Sequence, residues 1–241
     1  MALEALDIVN GIFSLIFVAI SLLVGLIILS KYFQYKERIY FLVGFTWILI
    51  SEPWWPSSLS FLIAIINGVG LSSQMYFLIG NLFVPVAIIV WLIAFTEFLY
   101  KEKRKLILMI FGIYGILFEI VFFILLFLNP DLIGKLNPPV DVNYKFFIMV
   151  SLITFLLIVV ISGFLFANLS LKSDDPEVKL KGKLLVIAYI SFSIGALLDS
   201  AIPLNEITII ITRIILISSA IEWYGGFILP GFLRKFLLKK K

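Results

Sequence analysis

Apolar residues run along this chain in seven long blocks, separated by short clusters of charge and proline. Block 8–30 contains no ionisable residue, and neither does 146–170. A hydrocarbon layer about 30 Å thick is crossed by about 20 helical residues. Lipid offers no partner to a backbone N–H or C=O, so blocks of this length must close their own hydrogen bonds as helices. The predicted spans are 8–30, 39–56, 75–99, 106–128, 146–170, 183–202 and 207–229. The fold class that follows is all-α, a polytopic membrane protein with seven transmembrane helices. Residues 1–230 make one bundle, and 231–241 a basic amphipathic tail in which Phe232, Leu233, Phe236, Leu237 and Leu238 alternate with Arg234 and Lys235. At helical spacing those apolar residues gather on one side, which suits a short helix lying on a membrane surface.

The pattern is irregular after the second block. Glu52-Pro53-Trp54-Trp55-Pro56 places two residues without an N–H in a row of five, and 57–70 is apolar again but too short to span and return. We read 57–70 as a helix lying in the outer interface, with Trp54 and Trp55 at headgroup level. The competing reading is one long second helix kinked at the prolines. Two triplets of blocks also look alike. Ser14-Leu15-Ile16 matches Ser151-Leu152-Ile153, and Glu52-Pro53 is echoed by Asp199 and Pro203. These matches suggest a parallel 3+1+3 repeat, although low-complexity apolar sequence also produces such matches by chance.

Charge gives the orientation. Sixteen of the 19 Lys and Arg fall after the first block, after the third, between the fifth and sixth, and in the tail. These alternate connections share one side of the membrane, which the positive-inside rule makes cytoplasmic. The N-terminus is then outside and the C-terminus inside, in a multi-pass protein of the cell membrane. The hydrophobic share of 62% and charged share of 14% compare with about 45–50% and about 25% in soluble domains. The net charge of +4 is accounted for by membrane orientation, so no nucleic-acid partner is expected; the lipid bilayer is. The first block is too long for the apolar region of a signal peptide, and its basic flank follows it, so it reads as a retained anchor.

Cys and His are both absent. That removes disulfides, thiol chemistry, iron–sulfur ligation and His-bound metals. No lysine lies in the last span to carry a retinal Schiff base, and no phosphate-binding loop occurs. We expect no enzyme activity, no cofactor and no metal.

Ionisable residues within spans cost a few kcal/mol and usually face the bundle with a partner. Counted at about 1.5 Å per residue, Glu52 and Glu119 stand at a similar height, Arg213 is nearly level with them, and Asp199 lies slightly nearer the outer surface. Glu52, Glu119, Asp199 and Arg213 therefore form the candidate site, since Arg213 is the one cation away from the ends of the spans and its fork can hold carboxylates bidentately. Either the cluster is a buried ion pair that sets helix packing, or it is an outer-half pocket for a small ligand or ion. Glu97 and Glu222, near the basic loops, read as partners of Lys or Arg. Asn10, Asn67 and Asn81 suit bonds between helices.

Phe41-Leu42-Val43-Gly44-Phe45-Thr46-Trp47 before Glu52, then Tyr76–Gly80, Pro85, Trp91–Phe95 and Tyr100, and finally Ala220-Ile221-Glu222-Trp223-Tyr224 with Pro230 and Arg234, form a pattern that resembles the seven-helix N-terminal sensor region of membrane histidine kinases. The resemblance implies ligand sensing in the bundle and output through the cytoplasmic end, and brings no catalytic residues with it. Only eleven residues follow Pro230, so no covalent output domain is expected. The function expected is a stand-alone, receptor-like or sensor-like protein that takes a small-molecule ligand from the outer side and signals through a separate partner. The alternatives are a small secondary transporter or proton-coupled carrier, and an accessory subunit of a membrane complex.

Overall fold

Seven helical segments in the computed structural model are long and apolar enough to cross a membrane. It describes residues 3–201 and 205–238, without the side chains of Ala201 and Phe232. Pro203, part of the supposed repeat, and Lys239, Lys240 and Lys241 of the tail lie outside the described residues. The first span is α1 (Ala5–Tyr35). The second is built from α2 (Arg38–Ile50), a 3-10 turn at Glu52–Trp54 and α3 (Trp55–Asn67). The third is α4 (Ser73–Asn81) followed by α5 (Val84–Phe98). Single helices make the rest: α6 (Arg104–Leu128), α7 (Phe146–Leu171), α8 (Pro176–Ala201) and α9 (Glu206–Ile228), with a short α10 (Gly231–Leu237) after Pro230. Between α6 and α7 lies a two-stranded antiparallel hairpin, β1 (Gly134–Asn137) and β2 (Asp141–Tyr144), which pairs Gly134 with Tyr144 and Asn137 with Asp141. The chain is an all-α membrane bundle with this one small sheet at its mouth.

The separate interfacial helix expected over 57–70 is not formed; the second span runs on through its prolines. Pro53 and Pro56 remove two donors from the ladder, which tightens to a 3-10 turn. The tightened turn itself takes up the carbonyls that the prolines leave, Leu49 accepting from the Ser51 N–H and Glu52 from the Trp55 N–H. Serines add to it: the Ser51 hydroxyl donates to the Ile48 carbonyl at 2.8 Å, and the Ser58 hydroxyl to that of Trp54 at 3.0 Å. Both halves then run antiparallel to the same helix. Gly44 of α2 meets Gly25 of α1, and Phe61 of α3 meets Gly11 of α1. The segment ends where Gly68 turns left-handed (φ 73°) and the Asn67 side chain accepts the N–H groups of Val69 and Gly70. Asn67 thus caps its own turn instead of bridging helices. Trp54 is buried, which corrects its expected place among the headgroups.

The third span is also broken, at Leu82 and Phe83, because Pro85 cannot donate and enters the new helix in its first turn. Around the bundle, α1 packs on α2, α3 and α9; α9 packs on α8, α8 on α7, α7 on α5 and α5 on α2, which closes a ring. Helix α6 stands outside it, against α5 and α4, and turns most of its surface outward. Residues such as Ile113, Leu117, Ile120 and Phe127 are exposed there, as lipid contact requires. Lipid gives helices no hydrophobic reason to associate, so close backbone approach carries much of the packing. At the α1–α2 crossing a Cβ on Gly44 would lie 2.5 Å from the Leu29 nitrogen and 2.6 Å from the Gly25 carbonyl oxygen.

Gly44→Ala is therefore expected to push these two helices apart and lower stability by about 1–3 kcal/mol, as overpacking does. Gly112→Ala, on the outward helix α6 with nothing within 4 Å of its Cβ, is the control. It should be neutral or stabilising by up to about 1 kcal/mol from helix propensity. Denaturation in mixed micelles compares the two.

Candidate functional site

The ring encloses a cavity of about 660 Å³ at the hairpin end. Its walls come from α1, α2, the 3-10 turn, the first turns of α3 and α4, α5, α7, α8 and α9, and the hairpin residues Val140 to Tyr144 reach into it. Most of the lining is apolar, with Leu49, Ile88, Phe155, Leu156, Val159 and Phe192 among it. The hairpin is held by main-chain carbonyls. The Tyr76 hydroxyl donates to the Val140 carbonyl at 3.0 Å, and the Ser60 hydroxyl donates to that of Pro139. The Asn81 amide donates to the Tyr144 hydroxyl at 3.3 Å. Burial pushes the Tyr144 phenol up to about 12, with the neighbouring Glu52 adding to the shift and the Asn81 hydrogen bond opposing it. The phenol therefore stays protonated at neutral pH.

On the cavity wall sits Arg213, 2% exposed. Its Nη1 lies 2.6 Å from Asp199 Oδ2, and its Nη2 donates to Asn10 Oδ1 at 3.1 Å. Trp54 Nε1 donates to the same Asp199 oxygen at 2.8 Å, and the Trp54 ring lies 6.0 Å from the guanidinium carbon. The pair joins α8 to α9, while Asn10 and Trp54 tie it to α1 and the kink of the second span. Three atoms of the pair have no hydrogen-bond partner among the described residues: Arg213 Nε, Arg213 Nη1, which faces Asp199 as an ion pair, and Asp199 Oδ1.

Of the four candidate residues, then, Arg213 and Asp199 meet, whereas Glu52 and Glu119 go elsewhere. Glu52 is fully buried at the proline kink. Both its oxygens accept the Phe83 N–H, at 2.7 and 2.9 Å. That N–H is freed where the third span breaks, so the carboxylate of one broken span closes the break in the other. Glu119, on α6, stands near enough to Glu52 to interact electrostatically. Its two oxygens are buried without a hydrogen-bond partner among the described residues. Among the other acids, Glu97 binds Arg38 at 3.2 Å and Arg104 at 3.7 Å, as its position near the basic loops implies. Glu222 does not follow that expectation and lies against the hydroxyls of Ser191 and Ser218.

Below the cavity the ring is filled by aromatic side chains. Trp54 meets Phe192, Phe192 meets Trp47, and Trp47 stacks on Trp223 with centroids 4.7 Å apart. Trp223 also touches Trp91, Tyr189 and Phe227. The column thus leads from the Arg213–Asp199 pair toward the basic end, where α9 passes into α10 and Arg234 pairs with Glu177 of α8.

The chain matches no family model, no curated protein and no solved structure.

Trp54 and the hairpin are the parts of the site that sequence reasoning missed, whereas Asn10 bonds between helices as expected, with Arg213 as its partner. The alternation Asp141-Val142-Asn143-Tyr144 after two prolines is a strand signal in principle. Nothing in the sequence singles out Trp54 from the Trp55 beside it.

Two substitutions check these assignments. Arg213→Met leaves the Asp199 charge with Trp54 as its donor, and should cost about 3–5 kcal/mol; adding Asp199→Leu should recover most of it. Glu52→Ala strips the Phe83 N–H of its acceptor and should cost about 1–3 kcal/mol, whereas Glu52→Gln keeps an acceptor and should cost less. Unfolding in mixed micelles reads both series.

Proposed function

We propose that this protein is a receptor-like or sensor-like protein of the cell membrane, which binds a small ligand in the cavity and passes the bound state to a partner at its basic end. The observation that carries this reading is the cavity of about 660 Å³, within the range of small-molecule sites, with a buried arginine on its wall, two of whose nitrogens have no hydrogen-bond partner among the described residues. The positive-inside rule puts the basic end in the cytoplasm, and therefore the hairpin and cavity on the outer side. Resemblance to the sensor regions of membrane histidine kinases supports the same direction of signalling. A ligand can shift the bundle only by binding one arrangement better than another. The elements that border the cavity include α9, which leads through Pro230 into α10, so a tilt of α9 changes the surface offered to a cytoplasmic partner.

A carrier is the second reading, favoured by the two broken spans that meet at Glu52 and Phe83, a construction used at transporter sites. The aromatic column below the cavity opposes it, since a carrier must also open toward the basic end.

A small-molecule thermal-shift screen tests the receptor reading. At least one compound should stabilise the wild type and fail to stabilise Ala196→Phe, whose ring would fill the cavity beside Phe192. Proteoliposome flux that is lost in Glu52→Ala and kept in Glu52→Gln would favour the carrier instead.

A further inference from the structure

The cavity is not closed on every side. Of the described residues that line it, four are exposed as well: Asn143 of β2, Met149 in the first turn of α7, and Leu197 and Ser200 near the end of α8. Those that α1, α2, α5 and α9 contribute are buried or half-buried. The way out therefore lies between α7 and α8, beneath the hairpin. These two helices meet closely toward the basic end, where a Cβ on Gly163 would lie 2.3 Å from the Tyr189 ring. Counted back along the antiparallel pair from that contact, Leu156 comes level with Ala196 and Leu152 with Ser200, and all four line the cavity. Leu156 stands ten residues after Phe146, the first of α7, which is about 15 Å along the helix. The opening thus runs down through the hairpin-side half of a hydrocarbon layer about 30 Å thick. Val150 and Leu157 of α7 and Ile190 and Ile194 of α8 are exposed beside it, so it gives onto lipid.

We infer that the cavity takes one acyl chain of a phospholipid of the hairpin-side leaflet, which enters sideways between α7 and α8. Its head group stays at the rim by Asn143 and Ser200, and the chain passes Met149 and Leu197 to end against Val159 and Phe192. This names the ligand class and rests on the reading of the cavity as a ligand site. A chain already in the bilayer reaches the opening without crossing water. Inside, it meets a mostly apolar wall, which water fills poorly and methylene groups fill with close contacts. Arg213 and Asp199 do not oppose it, since their charges face each other and their unpartnered atoms are buried.

The test uses the protein in nanodiscs of a phosphatidylcholine that carries a photoreactive diazirine near the end of one chain. After irradiation, mass spectrometry maps the adducts. They are expected on Val159 and Phe192, which are buried, and on Ile113, Leu117 and Ile120 of α6, which are exposed to lipid whatever fills the cavity. Ala196→Phe fills the cavity and Leu197→Trp adds bulk at the opening. In each, the Val159 and Phe192 adducts should fall at least about tenfold relative to those of α6, a margin of about 1.4 kcal/mol. If either variant does not fold, the wild-type map carries the test. Wild-type adducts confined to outward faces overturn the lipid assignment, and the receptor reading stands where a water-soluble compound binds in an Ala196→Phe-sensitive way. Cavity adducts that persist undiminished in folded Leu197→Trp overturn the sideways route. If neither the chain nor any screened compound occupies the cavity, both readings fall.

Discussion

Hydrocarbon gives the backbone nothing to bond to, and the course of this chain follows from how it meets that constraint at its prolines. A helix that crosses lipid unbroken satisfies itself. A helix carrying Pro53 and Pro56, or Pro85, does not, and its stranded groups need an answer from within the protein. In the second span the answer is local, through the 3-10 turn, where the N–H groups of Ser51 and Trp55 reach the Leu49 and Glu52 carbonyls. In the third it is long-range, because Glu52 takes the Phe83 N–H. Each break is tolerable because of the other: one puts a carboxylate into the core, and the other supplies the donor that carboxylate needs. The turn that places Glu52 also turns Trp54 toward Asp199, so the backbone repair and the cavity wall share one short piece of chain.

The ion pair obeys the same economy of partners. A buried guanidinium is tolerated when its protons are taken up, and Arg213 draws those partners from two directions, Asp199 on α8 and Asn10 on α1. Because Trp54 shares the Asp199 oxygen, four separate segments converge on a few polar atoms at the cavity. The aromatic column beneath contains no ion pair and fills the ring with rigid, interlocking rings instead. One end of the bundle is thus hollow, with a polar cluster on a mostly apolar wall, and the middle is solid.

The seven spans were legible in the sequence because each leaves so little charge over the length a bilayer demands. The kink at Pro53 and Pro56 was legible as a place where donors are removed, but the break before Pro85 was not, 75–99 being read as one span, and neither was the meeting of the two, since proline tells which group is lost and not who replaces it. The treatment of 57–70 as interfacial failed for that reason: length alone suggested a separate helix, while Gly11 and Phe61 had no visible relation until α3 was seen running along α1. Grouping Glu52 and Glu119 with Arg213 rested on height, which sequence gives at about 1.5 Å per residue. Azimuth decides the partner, and azimuth comes from packing. Glu119 rides on α6, outside the ring, at the right level and on the wrong side. Asp199 lies one helix away from Arg213 within the ring and takes the pair.

The hairpin over the cavity is fastened at Pro139 and Val140 through carbonyl oxygens, atoms that every amino acid possesses. Its attachment at these points is therefore written into Ser60 and Tyr76 beneath it and not into the identities of the residues it carries. Asp141 and Asn143 can change without loosening those clasps, so these two positions of the chain that reaches into the cavity are free to diversify while the mouth keeps its shape.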